Sequence, residues 1–242
     1  MKENFGKYTR ERVSNIPFYR KDPVYEEYQE KVPQFIGQAV YIYSFEKNRM
    51  LFANGWEELL GYKDEEITLL KIVSITSKRH FNFSNELNDK ALQYLSTVNT
   101  DLDKYSFTIE VEKIHKNGDV VPLFSRVGVY KSNKGTILEI IGISERIHSR
   151  KLGNIMQYAA FGPETSGFEE SLNDQLFNQL GISRKEKEAL VLASKGFAFK
   201  EIAEKLNVSA SAIEKRIIPL YKRFNVKSLP HLISFAYDNH IL

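Results

Sequence analysis

The stretch from residue 182 to residue 226, ISRKEKEALVLASKGFAFKEIAEKLNVSASAIEKRIIPLYKRFNV, decides the fold of the C-terminal part of the chain. Its pattern predicts three short helices. Ser183 is a helix N-cap, and Glu186 three residues later completes a capping box. Gly196 ends this first helix. A second apolar stripe follows, and Ser209 is the N-cap of the third helix.

The third helix of this stretch is predicted to have two unlike faces. One face carries large apolar residues at i, i+4, i+7 and i+11 and should pack on a core: Ile213, Ile217, Leu220 and Phe224. At about 100° per residue the opposite face is mainly polar and basic: Ser211, Lys215, Ile218 and Lys222. A short helix, a tight turn and such an amphipathic helix are typical of a helix-turn-helix, whose second helix enters the major groove of DNA.

The segment resembles the LuxR/NarL-type helix-turn-helix over about its whole length. The close matches in order and spacing are Gly196, residues 200–203 (KEIA), Leu206 and residues 208–209, with looser agreement at residues 183–188. Phe224, Val226 and Ser228 fit the end of the family's recognition helix and the turn that follows it. Residues 229–239 are then predicted to form the fourth helix. The resemblance implies a four-helix DNA-binding domain over residues 181–242.

The third helix also departs from the family pattern. The family usually opens this helix with Thr-Val-Lys and has a histidine two residues later, and this chain has Ala212, Ile213, Glu214 and Arg216 there. The carboxylate of Glu214 would either repel phosphates or accept a hydrogen bond from cytosine N4. Ile218 fills a second base-contact position that is often basic, and it can touch only a thymine methyl group or a partner protein.

Pro219 lies well inside the third helix. A proline there removes one backbone hydrogen bond and costs about 3 kcal/mol or more. We therefore predict a bend or an early helix end near residues 215–219.

The resemblance and the face pattern together imply a set of DNA-binding residues. We expect Ser211, Lys215 and Lys222 to address the groove, and the cations that hold phosphates to be Lys200, Arg216, Arg223 and Lys227. The candidate set also includes Ser209, Glu214 and Ile218. The expected partner is double-stranded DNA, bound by a homodimer on a two-fold site because one short helix contacts few base pairs. RNA polymerase is a further candidate partner.

A second hypothesis belongs to a different class. The segment would keep the helix-turn-helix fold but use Glu214, Ile218 and the Pro219 bend to hold a partner protein such as a polymerase subunit. The apolar residue on the outer face favours this hypothesis, and the charge of the segment opposes it. Residues 180–242 have a net charge of +5, whereas the first 179 residues have a net charge of −2. A basic segment that coincides with the motif is typical of a nucleic-acid-binding module.

Composition limits the remaining possibilities. The 242 residues are 42% apolar and 12% aromatic, which is enough for two ordinary domains. No apolar run approaches the roughly 20 residues of a membrane span, and the first residues lack the apolar core of a signal peptide. We therefore expect a soluble, cytoplasmic protein with no membrane partner. The chain has no cysteine, which excludes disulfides, thiol catalysis and flavin photochemistry through a cysteinyl adduct.

Residues 38–148 are predicted to form an α+β domain with an antiparallel five-stranded sheet and helices on one face. Residues 1–37 form an extension with a short helix from about residue 22 to residue 31, which would pack on the sheet or on a second subunit. Two strands (39–46 and 49–54) precede short helical segments and a longer helix at residues 85–98. Three strands follow (105–115, 120–131 and 136–147), with a clear Asn-Gly turn at residues 117–118.

That order of elements, with residues 52–62 (FANGWEELLGY) and residues 116–119 (KNGD), resembles a PAS domain over about residues 38–148. Such a domain implies a sensory or dimerising role, and its interior can hold a small ligand or be filled by side chains. The expected interior is aromatic and favours a filled core, and the speculative ligand-lining residues are Tyr43, Phe52, Trp56, Tyr94, Phe107 and Phe124. Haem needs an axial ligand, and the helix at residues 85–98 has no histidine. We expect no cofactor and no metal.

Residues 149–180 are predicted to be a helical linker. Leu152, Ile155, Met156 and Ala159 indicate a helix that leaves the last strand, and the FGPETSG stretch ends it before a second helix at Leu172. This linker would either transmit a signal or serve as a plain tether. No phosphate-binding glycine loop, metal-binding His-Glu-x-x-His helix or G-x-S-x-G motif occurs in the sequence, so we do not expect an enzyme.

Overall fold

The computed structural model describes residues 5–148, 156–165, 167–168, 182–238 and 241–242. The chain divides into two compact units, Met1–Glu169 and Glu170–Leu242, and the division falls inside the predicted linker. Of the helices in these described ranges, none combines the length and the hydropathy that a membrane span requires.

The first unit is an α+β structure, as predicted. Its helices are α1 (Lys7–Arg12), α2 (Pro23–Lys31), α3 (Trp56–Leu60), α4 (Leu69–Ser74) and α5 (Lys78–Leu95), with short 3-10 helices at Asp64–Glu66 and Leu102–Lys104. Its strands are β1 (Gln38–Ser44), β2 (Arg49–Asn54), β3 (Ser106–Ile114), β4 (Val120–Asn133), β5 (Thr136–Arg146) and β6 (Gln157–Phe161). The strands form one antiparallel sheet in the order β2-β1-β5-β4-β3-β6.

The sheet has six strands because residues beyond the predicted domain add one. β6 pairs with β3 from Ser106↔Phe161 to Glu110↔Gln157. The helix predicted around Met156 and Ala159 is therefore wrong over residues 157–161, and Leu152, Ile155 and Leu172 lie outside the described residues. Helical spacing of apolar residues could not reveal an edge of β3 that was open for pairing.

The segment that carries β6 is anchored by buried aromatic contacts. The ring of Phe168 packs at 5.0 Å from that of Phe107 on β3 and at 5.1 Å from that of Tyr94 on α5. The Tyr94 hydroxyl donates a hydrogen bond to the backbone oxygen of Glu164. The first unit therefore includes residues that the sequence assigned to the linker.

The aromatic residues that were predicted to line the interior lie on two different faces of the sheet, as the register of the strands shows. Tyr41 lies on the inner face, which α5 covers, so Ile42 and its partner Phe52 lie on the outer face. Phe52 packs there against Tyr25 of α2. Phe124 is opposite Glu110 and Glu145, also on the outer face and only half-buried. The prediction that Phe52 and Phe124 line the interior is wrong, because strand alternation depends on a register that the sequence alone left open.

Helices cover both faces of the sheet: α4 and α5 lie on the inner face, and α2 of the N-terminal extension lies on the outer face. On the outer face, Tyr28 of α2 donates a hydrogen bond from its hydroxyl to the carboxylate of Glu139 on β5. Asp22 caps α2 by accepting from the Val24 N–H at 3.0 Å and also pairs with Arg49 on β2. The α2 helix thus packs on the sheet of its own chain, which was one of the two predicted arrangements.

The inner face is nearly filled. A cavity of about 60 Å³ remains between the sheet and the helices α1, α4 and α5. Its wall includes Tyr41, Phe107, Val127 and Ile140 from the sheet and Leu87, Ala91 and Leu95 from α5. Of the six predicted ligand-lining residues, Phe107 alone borders this cavity, while Tyr43 and Trp56 are fully buried nearby and Tyr94 is half-buried. A cavity of this size holds a few water molecules or a very small ligand.

The long helix α5 begins at Lys78, earlier than the predicted residue 85, and ends at Leu95. His80 therefore lies inside the helix rather than before it, where it is buried and its Nδ1 accepts a hydrogen bond from the Glu112 N–H at 3.0 Å. Buried residues in the first turns, including Phe83, extend the inward face of the helix.

A buried lysine joins β3 to α4. The Nζ of Lys113 donates to the backbone oxygen of Ile72 and to Oγ1 of Thr76, both at 2.7 Å. Burial lowers the pKa of Lys113 to about 7. Above that pH the folded chain keeps this amine neutral, whereas the unfolded chain still binds the proton.

The buried amine predicts a rise of stability with pH. Because the unfolded state binds one more proton between the two pKa values, the free energy of unfolding should increase by about 2 kcal/mol from about pH 7.5 to about pH 9. Urea unfolding followed by the fluorescence of Trp56, which is the single tryptophan and is fully buried, measures this change. Lys113→Met should remove the rise, whereas Lys116→Met on the exposed turn should keep it. Equal pH profiles for the two variants would contradict the assignment.

The anchoring of β6 is tested in the same assay. Phe168→Ala should lower the free energy of unfolding of the first unit by about 3–5 kcal/mol, since it removes a buried ring between α5 and β3. Phe161→Ala, at the exposed end of β6, is the matched control and should cost less than about 1 kcal/mol. A loss no larger than that of the control would show that Phe168 does not hold the segment.

Candidate nucleic-acid interface

The second unit contains the four predicted helices: α6 (Arg184–Ser194), α7 (Phe199–Lys205), α8 (Ala210–Arg223) and α9 (Leu229–Asp238). Their shared core is formed by small and aliphatic side chains, each less than a tenth exposed: Ala189, Leu190, Ala193, Ile202, Ala203, Ile213, Ile217, Leu220, Leu232 and Ala236. Phe224 is half-buried and stacks on Phe235 of α9 with ring centroids 4.9 Å apart.

The predicted N-caps are confirmed. Ser183 Oγ accepts from the Glu186 N–H at 3.3 Å, and the Glu186 carboxylate accepts from the Ser183 N–H at 2.7 Å, which completes a capping box. Ser209 Oγ accepts from the Ala212 N–H at 3.2 Å at the start of α8. No acceptor for the hydroxyl proton of Ser209 lies among the described residues, and this side chain is exposed at the end of a helix where backbone N–H groups favour an anion.

Left-handed residues set the turns after α6, α7 and α8. Gly196, Asn207 and Asn225 have φ angles of +88°, +51° and +53°. After α7 the Val208 N–H donates to the oxygen of Ala203 at 2.9 Å, and the Asn207 N–H donates to that of Glu204 at 3.2 Å, which is a Schellman motif. The same paired bonds close α6 and α8. Each helix therefore stops at a fixed residue, and α7 and α8 are joined by a tight turn.

The α8 helix continues through Pro219 to Arg223. The predicted early end near residues 215–219 is wrong, because the buried residues Ile217 and Leu220 hold the helix on both sides of the proline. Pro219 itself is exposed, so water can reach the carbonyl of Lys215 that a proline leaves without an N–H donor. The bend that Pro219 favours stays a prediction.

The outward face of α8 carries the side chains that the periodicity placed there. Ser211, Lys215, Ile218 and Lys222 are all exposed, and Ile218 is 51% exposed. Glu214 is also exposed, whereas Arg216 is less accessible because its side chain is half-buried. Within the described residues no carboxylate lies within ion-pair distance of Lys215 or Lys222, so both cations are available to an external anion.

The other predicted phosphate contacts differ in their surroundings. Lys200 at the start of α7 and Lys227 after α8 are exposed. Arg223 instead donates to both carboxylate oxygens of Glu186, at 3.2 and 3.3 Å, and so joins the end of α8 to the start of α6. Sequence reasoning missed this contact because 37 positions separate the two residues and no local pattern connects them. Burial raises the pKa of Glu186, but the hydrogen bonds with Ser183 and the charge of Arg223 outweigh it and lower that pKa.

Metal chemistry has no candidate site among the described residues. No group of three or more His, Cys, Asp or Glu side chains in those ranges could hold a metal ion. The features that the second unit presents to a ligand are its exposed cations and helix N-termini.

The C-terminal unit has relatives among known proteins. Residues 181–236 match the family described as "Bacterial regulatory proteins, luxR family". The oxygen regulatory protein NreC of Staphylococcus carnosus is 39% identical over 61 residues, which are 25% of this chain and 28% of that protein. NreC of Staphylococcus epidermidis is 38% identical over the same shares. The chain thus spans just over a quarter of the length of these curated relatives, and the predicted luxR-type helix-turn-helix domain at its C-terminal end is confirmed.

Two solved structures are similar to this chain at low TM-score. A phage VqmA–DPO complex is 16% identical, covers 89% of this chain and 91% of its own, and has a TM-score of 0.34. The PAS domain of a protein from Colwellia psychrerythraea is 15% identical, covers 52% of this chain and 98% of its own, and has a TM-score of 0.39.

The contact between Arg223 and Glu186 predicts a local stabilisation. Glu186→Gln weakens the capping box and the ion pair together, so amides of α6 and of the last turn of α8 should exchange with deuterium about fivefold faster. Glu188→Gln is the matched control, because among the described residues this exposed carboxylate makes only a surface pair with Arg184. Hydrogen exchange measured by mass spectrometry resolves these peptides. If Glu186→Gln left the exchange rates of α6 and of the last turn of α8 unchanged, the proposed role of the Arg223–Glu186 pair would be contradicted.

Proposed function

We propose that this chain is a DNA-binding transcription regulator. Residues 181–242 form the DNA-binding domain. Residues 38–148, extended by β6, form a PAS-like sensory or dimerising domain, and residues 1–37 are its extension. The rest of residues 149–180 joins the two domains. The observation that carries the proposal is the outer face of α8, where exposed Lys215 and Lys222 lie opposite the fully buried Ile213, Ile217 and Leu220. The match to the luxR family over residues 181–236 supports it.

The side chains divide into two groups by what they can contact. Lys215, Ser211 and Lys222 project from the outer face of α8 and address base edges in the major groove, where sequence is recognised. The residues that hold phosphates are Lys200, Arg216, Arg223, Lys227 and the N-terminus of α8 at Ser209. Glu214 accepts from cytosine N4 or repels the backbone, so it restricts the sites that bind.

The regulator acts as a homodimer on a two-fold site in the cytoplasm, because one α8 helix contacts too few base pairs to specify a site alone. The function is regulatory rather than enzymatic, with RNA polymerase as the partner that transmits the output. A small ligand of the inner cavity would supply the signal.

The alternative function, a protein-interaction module, draws on one specific observation. Ile218 is 51% exposed on the outer face of α8, next to exposed Pro219. A partner protein could pack on this apolar surface. The salt dependence of binding distinguishes the two functions. Binding through phosphates weakens steeply with added salt, whereas a contact centred on Ile218 does not.

The first test is selection of bound sequences from a random duplex pool by the full-length protein at two salt concentrations. A two-fold-symmetric enriched site with a steep salt response is the expected result. No enrichment at low salt would overturn the proposal and favour the interaction module.

A substitution then tests the role of Lys215. Lys215→Ala should weaken binding to the selected duplex by about 5- to 100-fold and binding to a scrambled duplex much less, because base contacts specify and phosphate contacts do not. Lys185→Ala on the exposed face of α6 is the charge-matched control. It should change binding to either duplex by no more than about twofold. Fluorescence anisotropy with both duplexes measures the dissociation constants. Equal losses on the two duplexes would reassign Lys215 to a phosphate.

A further inference from the structure

One aliphatic residue of α8 faces outward. Ile218 is 51% exposed, whereas the large aliphatic residues Ile213, Ile217 and Leu220 of this completely described helix are each 0% exposed. The next residue, Pro219, is exposed as well. The two residues form an apolar spot on a face that is otherwise polar and basic.

The position of this spot follows from helix geometry. Lys215 precedes Ile218 by three residues and Lys222 follows it by four, so both lie beside it on the same strip of the helix surface. Both lysines are exposed, and neither has an ion-pair partner among the described residues. If these lysines contact DNA, which is the proposed function on which this inference rests, Ile218 is held against base edges between them.

The chemistry of Ile218 restricts which base can lie there. Its side chain neither donates nor accepts hydrogen bonds, so the exposed edges of guanine, cytosine and adenine would lose water without a replacement partner. Thymine instead presents a 5-methyl group in the major groove. The β-branched side chain has one strongly preferred rotamer in a helix, so it cannot turn away from the groove at low cost.

We propose that Ile218 is a specificity-determining residue that selects thymine by packing on its 5-methyl group. Each half-site of the two-fold operator then contains one thymine whose methyl group is buried against Ile218. Loss of one buried methyl group should weaken binding about fourfold. Loss of both in a symmetric site should weaken it about tenfold or more.

The test removes the methyl group from the DNA and the side chain from the protein. Each thymine of the selected duplex is replaced in turn by deoxyuridine, which has the same hydrogen-bonding groups but no methyl group. With the unmodified protein, one thymine per half-site should show the fourfold loss. With Ile218→Ala, the selected duplex should bind more weakly and the deoxyuridine effect should vanish at that position alone, which is the coupling that direct contact requires.

The controls separate this inference from the proposed function. Tyr237→Ala, which truncates a side chain on α9 that is 54% exposed, should leave the deoxyuridine profile unchanged. Specific DNA binding with a deoxyuridine profile that Ile218→Ala does not alter would overturn the thymine assignment and leave the regulator intact. Failure of the unmodified protein to select any DNA would overturn both. Loss of polymerase binding in Ile218→Ala, with DNA binding unchanged, would assign the spot to a protein partner instead.

Discussion

Burial of Ile213, Ile217 and Leu220 is the interaction on which the C-terminal unit depends. Each of these side chains is completely removed from solvent, and such burial contributes about 1.5–3 kcal/mol per residue. The stripe fixes the rotation of α8 about its axis, so the side chains at positions 211, 215, 218 and 222 must face outward. It also offsets the cost of Pro219, because the helix is held by packing on both sides of the missing hydrogen bond.

The turns between the helices fix where α7 ends and α8 begins. Asn207 adopts a left-handed conformation that an asparagine tolerates better than most residues, and the Schellman bonds around it close α7 just before Ser209 caps α8. The helix-turn-helix geometry is therefore built from local chemistry at the turn and from a shared core. The ion pair between Arg223 and Glu186 then joins the far end of α8 to α6.

In the N-terminal unit, packing reaches beyond the predicted domain. β6 closes the β3 edge of the sheet, and Phe168 contacts the ring of Phe107, which borders the inner cavity. The wall of the cavity and the segment that leads toward the second unit are thus in van der Waals contact.

The sequence by itself determined the features that local periodicity and capping specify: the four C-terminal helices, the caps at Ser183 and Ser209, the two faces of α8, and the order of strands and helices from residue 38 to residue 146. Tertiary structure alone decided which sheet face received Phe52 and Phe124, that residues 157–161 form a strand instead of a helix, and that α8 continues through Pro219. It also decided the contact of Arg223 with Glu186. These outcomes depend on strand register, on an open sheet edge and on partners far away in the chain, and local periodicity carries no information about such distant contacts.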